Sequence, residues 1–255
     1  MAGILDGKKI VIMGVANKKS IAWGCAQALM DQGAEIILTY QNERMKRSLD
    51  KMLADVDVKM FECDVAEDAN VEKTFNEIHN AVGNIDGLIH AIAFADKDTL
   101  EGGVKNVKKD GFNLAQDISA YSFISVSRYA SAIMNRGGSI TTLTYIGAVR
   151  AIPNYNMMGV AKAALEAEVR YLAAELGKES DIRVNAISAG AIKTLAVTGI
   201  KHHGDLLKMS EGFTVNGKSV TPMDVGKSAA FLMSDLASGV TGDIIYVDNG
   251  VHLIV

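Results

Sequence analysis

The chain has 255 residues, of which 49% are hydrophobic and 22% charged, and its formal net charge is −4. These values indicate a globular protein with a sizeable core and argue against nucleic acid as the main partner. The longest uncharged run, residues 137–149, is too short to cross a bilayer, so no membrane segment is predicted. Cys25 and Cys63 lie in apolar segments and are interpreted as buried thiols of a reducing compartment. We therefore expect a soluble, cytoplasmic protein.

Strand-like and helical patterns alternate along the whole chain. Strands are predicted at Lys8–Gly14, Ala34–Tyr40, Val56–Glu62, Asp86–Phe94, Gly138–Tyr145, Ile182–Ser188 and Asp243–Val247. Helices are predicted at about Ser20–Gln32, Asn42–Ala54, Asp68–Val82 and Asp110–Asn135, then from Tyr155 onward and from Thr221–Pro222. This alternation predicts a single α/β domain over residues 1–255: a doubly wound, seven-stranded parallel sheet of Rossmann type, with helices on both faces.

The first strand runs into the segment GVANKKSIAWG, Gly14 to Gly24. A phosphate site needs a tight turn, close backbone approach and a helix N-terminus. Gly14 supplies the turn, Ser20 caps the helix, and Ala22 is small enough to let a pyrophosphate approach. The G-x-G-x-x-G pattern is absent, however, so an ordinary loop into a capped helix remains an equal alternative.

The second and third strands end in candidate adenosine contacts. Gln41 is neutral and follows a strand end where an acidic residue would select NAD. Arg44, Lys46 and Arg47 follow on the next helix and would attract a 2′-phosphate, although surface charge on a helix is the commoner explanation. Asp64 follows the third strand and is either an acceptor for an adenine amino group or a turn residue at a helix entry.

The stretch from Thr141 to Glu175 carries three side chains suited to chemistry: Tyr145, Tyr155 and Lys162. Seven residues separate Tyr155 from Lys162, which on a continuous helix places both on one face about 10 Å apart. The alternative is an exposed helix surface, and this pair alone does not decide between the two readings.

The histidines indicate no metal site. His90 lies in a strand and is interpreted as a core or sheet-edge residue, and His79 as a helix-surface residue. His202 and His203 lie in a polar segment, and neither C-x-x-C nor a histidine pair at helical ligand spacing occurs.

Longer motifs carry a resemblance over essentially the whole chain. They are GVANKKSIAWG, TYQNE, CDVAEDA, DISAYSF, LTYIGAVRAIPNYNMMGVAKAALEAEVRYLA and RVNAISAGAIKTLA. Together they make the chain similar to the NADH-dependent enoyl-acyl-carrier-protein reductases of bacterial type II fatty-acid synthesis, a divergent branch of the short-chain dehydrogenase/reductases.

The resemblance implies a role for each matching position. Tyr155 would donate to the thioester oxygen, Tyr145 would line the acyl pocket, and Lys162 would bond the nicotinamide ribose. The implied cofactor contacts are Gly14, Ser20 and Ile21 at the pyrophosphate, Gln41, Asp64 and Val65 around the adenosine, Ala91 beneath the cofactor, and Ile192 and Thr194 at the nicotinamide and phosphates. The implied cofactor is NADH/NAD, with NADPH the weaker alternative because Gln41 carries no positive charge.

The resemblance also implies partners and marks departures. The substrate would be an enoyl thioester on acyl carrier protein. Independently of the resemblance, the polar, glycine-punctuated stretch at about residues 194–212 is predicted to be a mobile, locally basic lid that suits an acidic carrier protein, with a solvated surface helix as the alternative. The assembly would be a homotetramer, with Ala161, Ala164 and Ala167 as a small-residue face against another subunit. Departures from the family pattern are Ala93 for glycine, Ala191 for proline, Asn249 for glycine and the segment 214–218, and they affect turnover and inhibitor fit rather than fold.

Three functions stay open from the sequence: an enoyl-thioester reductase, a carbonyl reductase on the same fold, and a silent nucleotide-binding protein. A carbonyl reductase of this superfamily carries Tyr-x-x-x-Lys, but four residues before Lys162 stands Met158, which has no proton to donate. Enoyl reduction is therefore predicted, with little or no activity on 3-oxoacyl thioesters.

Overall fold

The computed structural model describes residues 3–192, 194 and 210–255. Seven parallel strands form one sheet in the order β3-β2-β1-β4-β5-β6-β7. The strands are β1 (Lys9–Met13), β2 (Glu35–Tyr40), β3 (Lys59–Glu62), β4 (Ile85–His90), β5 (Met134–Thr144), β6 (Arg183–Ala189) and β7 (Ile244–Val247). The order reverses between β1 and β4, so the predicted doubly wound, Rossmann-type fold is confirmed.

Helices cover both faces of the sheet. Those of the described residues are α1 (Ile21–Met30), α2 (Glu43–Met52), α3 (Asp68–Val82), α4 (Lys97–Leu100), α5 (Lys109–Gln116), α6 (Ser122–Ala132), α7 (Asn156–Ser180), α8 (Pro222–Met233) and α9 (Val251–Ile254). Short 3₁₀ turns lie at Val104–Asn106, Ile146–Ala148 and Asp235–Ala237.

Two apolar clusters sandwich the sheet, because the central strands are buried on both faces. On one face, Ile10, Ile12 and Leu38 pack with α1 and α8. On the other face, Val11 and Met13 pack with α3, α6 and α7. Alternate residues of β1 therefore serve opposite layers, as the continuous apolar run of this strand predicts.

Helices α1 and α8 cross at two glycines. A Cβ on Gly24 would lie 2.4 Å from the backbone carbon of Pro222, and one on Gly226 would lie 2.3 Å from the Gly24 carbonyl oxygen. The two backbones are therefore in direct contact, which only glycine permits on these faces. Thr221 and Asp224 form a full capping box at the start of α8, as predicted.

Several element boundaries differ from the prediction. β4 ends at His90 rather than Phe94, and β5 begins at Met134 rather than Gly138. β3 begins at Lys59 rather than Val56, because pairing with β2 starts at Ile37 opposite Lys59. The long helix predicted at Asp110–Asn135 contains a π-helical turn at Asp117–Tyr121 and ends at Ala132. It stops there because Met134 already pairs with Ile85 as the first residue of β5.

The predicted lid, residues 194–212, lies mostly outside the described part of the chain; Thr194 and residues 210–212 are described. Lys193, Lys201, His202, His203 and Lys208 lie outside it as well. Within the described residues, every helix is too short or too polar to span a bilayer.

Candidate active site

Tyr145 and Tyr155 meet at the carboxyl end of β5. Tyr145 directly follows the strand, and its ring meets that of Tyr155 edge-on, with centroids 4.9 Å apart and planes at 71°. Tyr155 is the N-cap residue of α7, with φ −116° and ψ 2°, so it lies outside the helix. The sequence interpretation of Tyr155 and Lys162 as two points on one helix is therefore wrong in detail, since only Lys162 belongs to the helix.

Two glycines allow this approach. A Cβ on Gly147 would lie 2.5 Å from Cδ1 of Tyr155 and 3.2 Å from Cδ1 of Tyr145. A Cβ on Gly159 would lie 2.8 Å from the carbonyl oxygen of Gly147. The 3₁₀ turn at Ile146–Ala148 therefore packs directly against the first turn of α7, and the tyrosine pair is held between them.

Lys162 reaches the same strand end from inside α7. It is buried, and its Nζ donates a hydrogen bond to the Leu143 carbonyl oxygen at 2.7 Å. Burial lowers the pKa of Lys162 from 10.5 to about 8, against the opposing influence of Glu166 and Glu168. Burial raises the pKa of Tyr155 above its usual 10, and Tyr145 raises it further. At neutral pH the site thus holds an ammonium and two protonated phenols.

The predicted cofactor residues follow the ends of neighbouring strands. Gly14 has φ +89°, and a Cβ on it would lie 2.1 Å from the carbonyl oxygen of Ala91. The segments after β1 and β4 therefore approach as closely as backbone allows at the switch in strand order. This is the position at which an open α/β sheet binds its ligand, so the residues present fit a dinucleotide.

The helix entry after Gly14 is capped as predicted. Ser20 accepts a hydrogen bond from the Trp23 N–H, and its hydroxyl donates to the Asn17 carbonyl at 2.8 Å. Ile21, the first residue of α1, is partly buried against the core cluster. A cavity of about 500 Å³, lined in part by Lys18, Lys19 and Ile192, opens between this loop and the end of β6.

The predicted adenosine residues also come together. The Gln41 amide nitrogen lies 3.4 Å from the Asp64 carboxylate, which also accepts from the Ala66 N–H at 3.2 Å. Val65, the next residue, is buried. This neutral amide and carboxylate form one polar edge beyond β2 and β3.

At the end of β6, Ile192 and Thr194 are both buried, and the Thr194 N–H donates to the Ile192 carbonyl at 2.8 Å. Thus the predicted site residues other than Lys162 follow the carboxyl end of a strand or begin the adjoining helix, and Lys162 reaches a strand end from inside α7. His90, Cys25 and Cys63 are buried, as predicted for core residues.

Sequence reasoning missed several contacts of the site. Leu143 contributes its backbone carbonyl, which a sequence pattern cannot indicate. Glu166 is a buried acidic residue in a helix whose other charged residues suggest an exposed surface. Met158 packs with Leu100 in a small apolar cluster that Ile152 and Tyr155 complete. Met158 stands four residues before Lys162, where the Tyr-x-x-x-Lys pattern has tyrosine. This difference could have indicated the apolar cluster from the sequence.

The face predicted to meet another subunit needs correction. Ala161 is fully buried in the core of its own chain, whereas Ala164 and Ala167 are partly exposed. Ala161 is therefore not available for a subunit contact, and only Ala164 and Ala167 of the predicted face reach the surface.

Known proteins match this chain throughout. The family described as "Enoyl-(Acyl carrier protein) reductase" matches residues 14–252. An NADH-dependent enoyl-[acyl-carrier-protein] reductase FabI of Enterococcus faecalis is 61% identical over 249 residues, which cover 98% of this chain and 99% of the relative. An NADPH-dependent FabI of Staphylococcus aureus is 47% identical, covering 98% of both chains.

A solved structure agrees in fold. The Bacillus cereus enoyl-acyl carrier protein reductase with NADP⁺ and indole naphthyridinone has a TM-score of 0.96 and 46% identity, covering 99% of both chains. Sequence and fold thus agree over the full length, and the chain belongs to the enoyl-acyl carrier protein reductase family of the short-chain dehydrogenase/reductases.

Proposed function

We propose that Tyr155, Tyr145 and Lys162 are the working groups of an NADH-dependent reduction of trans-2-enoyl thioesters. The chain is an enoyl-[acyl-carrier-protein] reductase, an oxidoreductase of the last reductive step in fatty-acid elongation. The observation that carries the residue roles is the edge-on tyrosine pair at the end of β5, with buried Lys162 bonded to the same strand end.

The reaction places negative charge where a phenol can meet it. NADH, when bound, supplies a hydride for the β-carbon of the conjugated thioester. The charge that develops on the thioester oxygen is stabilised by a hydrogen bond from Tyr155, whose raised pKa keeps the phenol protonated. Tyr145, half-buried beside it, lines the acyl pocket and fixes the Tyr155 ring. Apolar Met158 and Leu100 pack with Tyr155 and exclude water from that contact.

Lys162 serves the cofactor side. Its ammonium bonds the nicotinamide ribose hydroxyls and supplies positive charge to the cofactor side of the site. The remaining cofactor contacts are Gly14, Ser20 and Ile21 for the pyrophosphate, Gln41, Asp64 and Val65 for the adenosine, and Ala91, Ile192 and Thr194 for the nicotinamide half.

Two contacts favour NADH over NADPH. The carboxylate of Asp64 lies against Gln41, so the edge that receives the adenosine ribose carries negative rather than positive charge. Lys46 is paired with Asp50 at 2.9 Å, which partly neutralises a lysine suited to a 2′-phosphate. We expect a higher kcat/KM with NADH, and the reverse preference would contradict this assignment.

The partner and assembly follow from the family. The acyl chain is carried by acyl carrier protein, and residues 194–212 are the segment proposed to receive it. A homotetramer, a single reductase domain over residues 1–255 and a cytoplasmic location complete the proposal. Tyr171 on α7 is 78% exposed, as a residue reserved for a subunit contact would be in an isolated chain. Light scattering on purified protein measures the assembly directly.

A side-by-side assay tests the function. Crotonyl and acetoacetyl thioesters are offered with NADH, and oxidation is followed by cofactor absorbance. We expect turnover of the crotonyl substrate only; faster reduction of acetoacetyl thioester would favour a carbonyl reductase, and binding without turnover a silent protein. Tyr155→Phe should lower kcat by about 10²-fold with NADH affinity retained. Lys162→Ala should instead weaken NADH binding, measured by quenching of NADH fluorescence.

A further inference from the structure

A buried carboxylate, Glu166, lies one helical turn beyond Lys162. Glu166 is 8% exposed, although acidic side chains are rarely buried without a partner. Residues four apart on a helix share a face, so Glu166 and Lys162 occupy the same flank of α7. The roles set out above for Tyr155, Tyr145 and Lys162 do not use this carboxylate.

Its hydrogen bond leads to the catalytic strand end. The Thr144 hydroxyl donates to Oε1 of Glu166 at 2.7 Å, and Thr144 directly precedes Tyr145. One residue earlier, the Leu143 carbonyl accepts from Lys162. Two successive residues of β5 are therefore joined to two successive turns of α7, one through a carboxylate and one through an ammonium. These two hydrogen bonds fix the position of Tyr145 along the axis of α7, the helix that Tyr155 caps.

The charge of Glu166 also acts on Lys162. Of the charges that oppose the effect of burial on the Lys162 pKa, Glu166 is the larger and Glu168 the smaller. On β4, His90 is neutral, because burial lowers its pKa to about 3. On β5, the contact to Lys162 is the uncharged Leu143 carbonyl, and beyond it lie the protonated Tyr145 and Tyr155. Glu166 is thus the main negative charge that keeps the lysine protonated.

The groups facing Glu166 decide its own state. Burial has the largest effect and raises the pKa of Glu166 overall, while the Thr144 hydrogen bond, Arg170 and Lys162 each lower it. Arg170 is held one turn further on by its hydrogen bond to the Glu166 carbonyl at 2.9 Å. Tyr246 on β7 is near enough for the Glu166 charge to raise its pKa. The Thr144 hydroxyl, at 2.7 Å from the carboxylate, and the charges of Arg170 and Lys162 favour the ionised form of Glu166 against the effect of burial.

We propose that Glu166 is a positioning residue of this reductase: it fixes the end of β5 through Thr144 and holds Lys162 in its ammonium form. The proposal rests on the roles assigned to Lys162 and Tyr145 above. Lys162 carries a positive charge only in its ammonium form, so activity and NADH affinity should fall as Lys162 loses its proton at alkaline pH. Removing the charge of Glu166 should bring that loss to lower pH.

Glu166→Gln removes the charge and keeps an oxygen for Thr144. Two variants separate the two tasks: Thr144→Val removes the hydroxyl and keeps the charge, and Glu166→Asp keeps the charge on a shorter side chain. Glu175→Gln, on an exposed face of the same helix, is the matched control. For each, kcat/KM for a crotonyl thioester and the NADH dissociation constant are measured between about pH 6 and 10.

The alkaline midpoint of the wild type should lie near pH 8. In Glu166→Gln it should move by about one pH unit to lower pH in both readouts. Thr144→Val and Glu166→Asp should keep the wild-type midpoint with a lower kcat, and Glu175→Gln should overlay the wild type.

A Glu166→Gln profile that coincides with the wild type would overturn the charge role. So would an equal shift in Thr144→Val, because a merely structural contact would then explain both. If Glu166→Gln does not fold, an acid-shifted midpoint in Glu166→Asp overturns the proposal, and an unchanged midpoint supports it. A wild type that binds NADH but reduces no enoyl thioester would refute the proposed function. The pH dependence of NADH affinity could still be measured in that case, because binding needs no turnover.

Discussion

Gly147→Ala tests whether the position of Tyr155 governs the rate. The added methyl would lie 2.5 Å from Cδ1 and 2.8 Å from Cε1 of Tyr155, where ordinary carbon contacts are about 3.5–4.0 Å. The ring must therefore retreat by about 1 Å. A displacement of this size at a catalytic group costs about 10²-fold, or about 2.7 kcal/mol of barrier.

The assay is steady-state reduction of a crotonyl thioester, with NADH affinity and urea unfolding measured in parallel. We expect kcat to fall about 10²-fold, NADH affinity to be retained, and stability to drop by about 1–3 kcal/mol from overpacking. Gly177→Ala is the matched control in α7, because its methyl would meet nothing closer than 3.9 Å; it should stabilise the helix by about 0.5–1 kcal/mol at unchanged kcat.

A double variant sharpens the reasoning. In Gly147→Ala with Tyr155→Phe, the displaced ring no longer carries the hydroxyl, so kcat should be no lower than in Tyr155→Phe alone. Additive losses would show that the methyl damages something other than the phenol. Wild-type kcat in Gly147→Ala would refute the claim that this close packing sets the geometry of the site.

Three further predictions concern cofactor binding and stability. Gly14→Ala should abolish NADH fluorescence quenching and cost more than about 2 kcal/mol in urea unfolding, because φ is +89° and the methyl would strike the Ala91 carbonyl. The pKa of His90 falls from 6.5 to about 3 on folding, so the unfolded chain binds the extra proton and stability is lost as pH falls through this range. The slope should reach about 1.4 kcal/mol per pH unit and be smaller in His90→Asn. Thr221→Ala should cost about 0.5–2 kcal/mol by breaking the capping box with Asp224.

The sheet could be predicted from the sequence because its strands are apolar on both faces and its helices carry clear caps. Ser20 and Thr221 were each predicted to cap the start of a helix, and the structure confirms both predictions. The placement of candidate groups at strand ends followed from the fold class alone, since all parallel strands end at one edge.

Other features depend on packing that no local pattern contains. The start of α7 was misplaced by one residue, because Asn154 adopts a left-handed conformation and the chain enters the helix only after Tyr155. The π-helical turn at Asp117–Tyr121 has no distinct composition. Glu166 is buried by its surroundings in three dimensions, and a helical acid is normally assigned to the surface.

Asn249, where the family resemblance implies glycine, also has a left-handed backbone conformation. Its φ is +52°, a conformation that asparagine tolerates better than most residues. Its side chain donates to the Lys218 carbonyl at 2.7 Å, and its carbonyl accepts from Val215. The substitution thus adds a tether between the C-terminal segment and the altered segment 214–218.

The glycine crossing of α1 and α8 has a mechanical consequence. Ser20, at the predicted pyrophosphate loop, caps α1, and Thr221 caps α8. The backbones of α1 and α8 are in contact at Gly24 and Gly226, with no side chains between them. The two helix starts are therefore expected to move together as one rigid unit. A bound phosphate that slows hydrogen exchange of the backbone amides at the start of α1 should therefore also slow exchange in the first turn of α8.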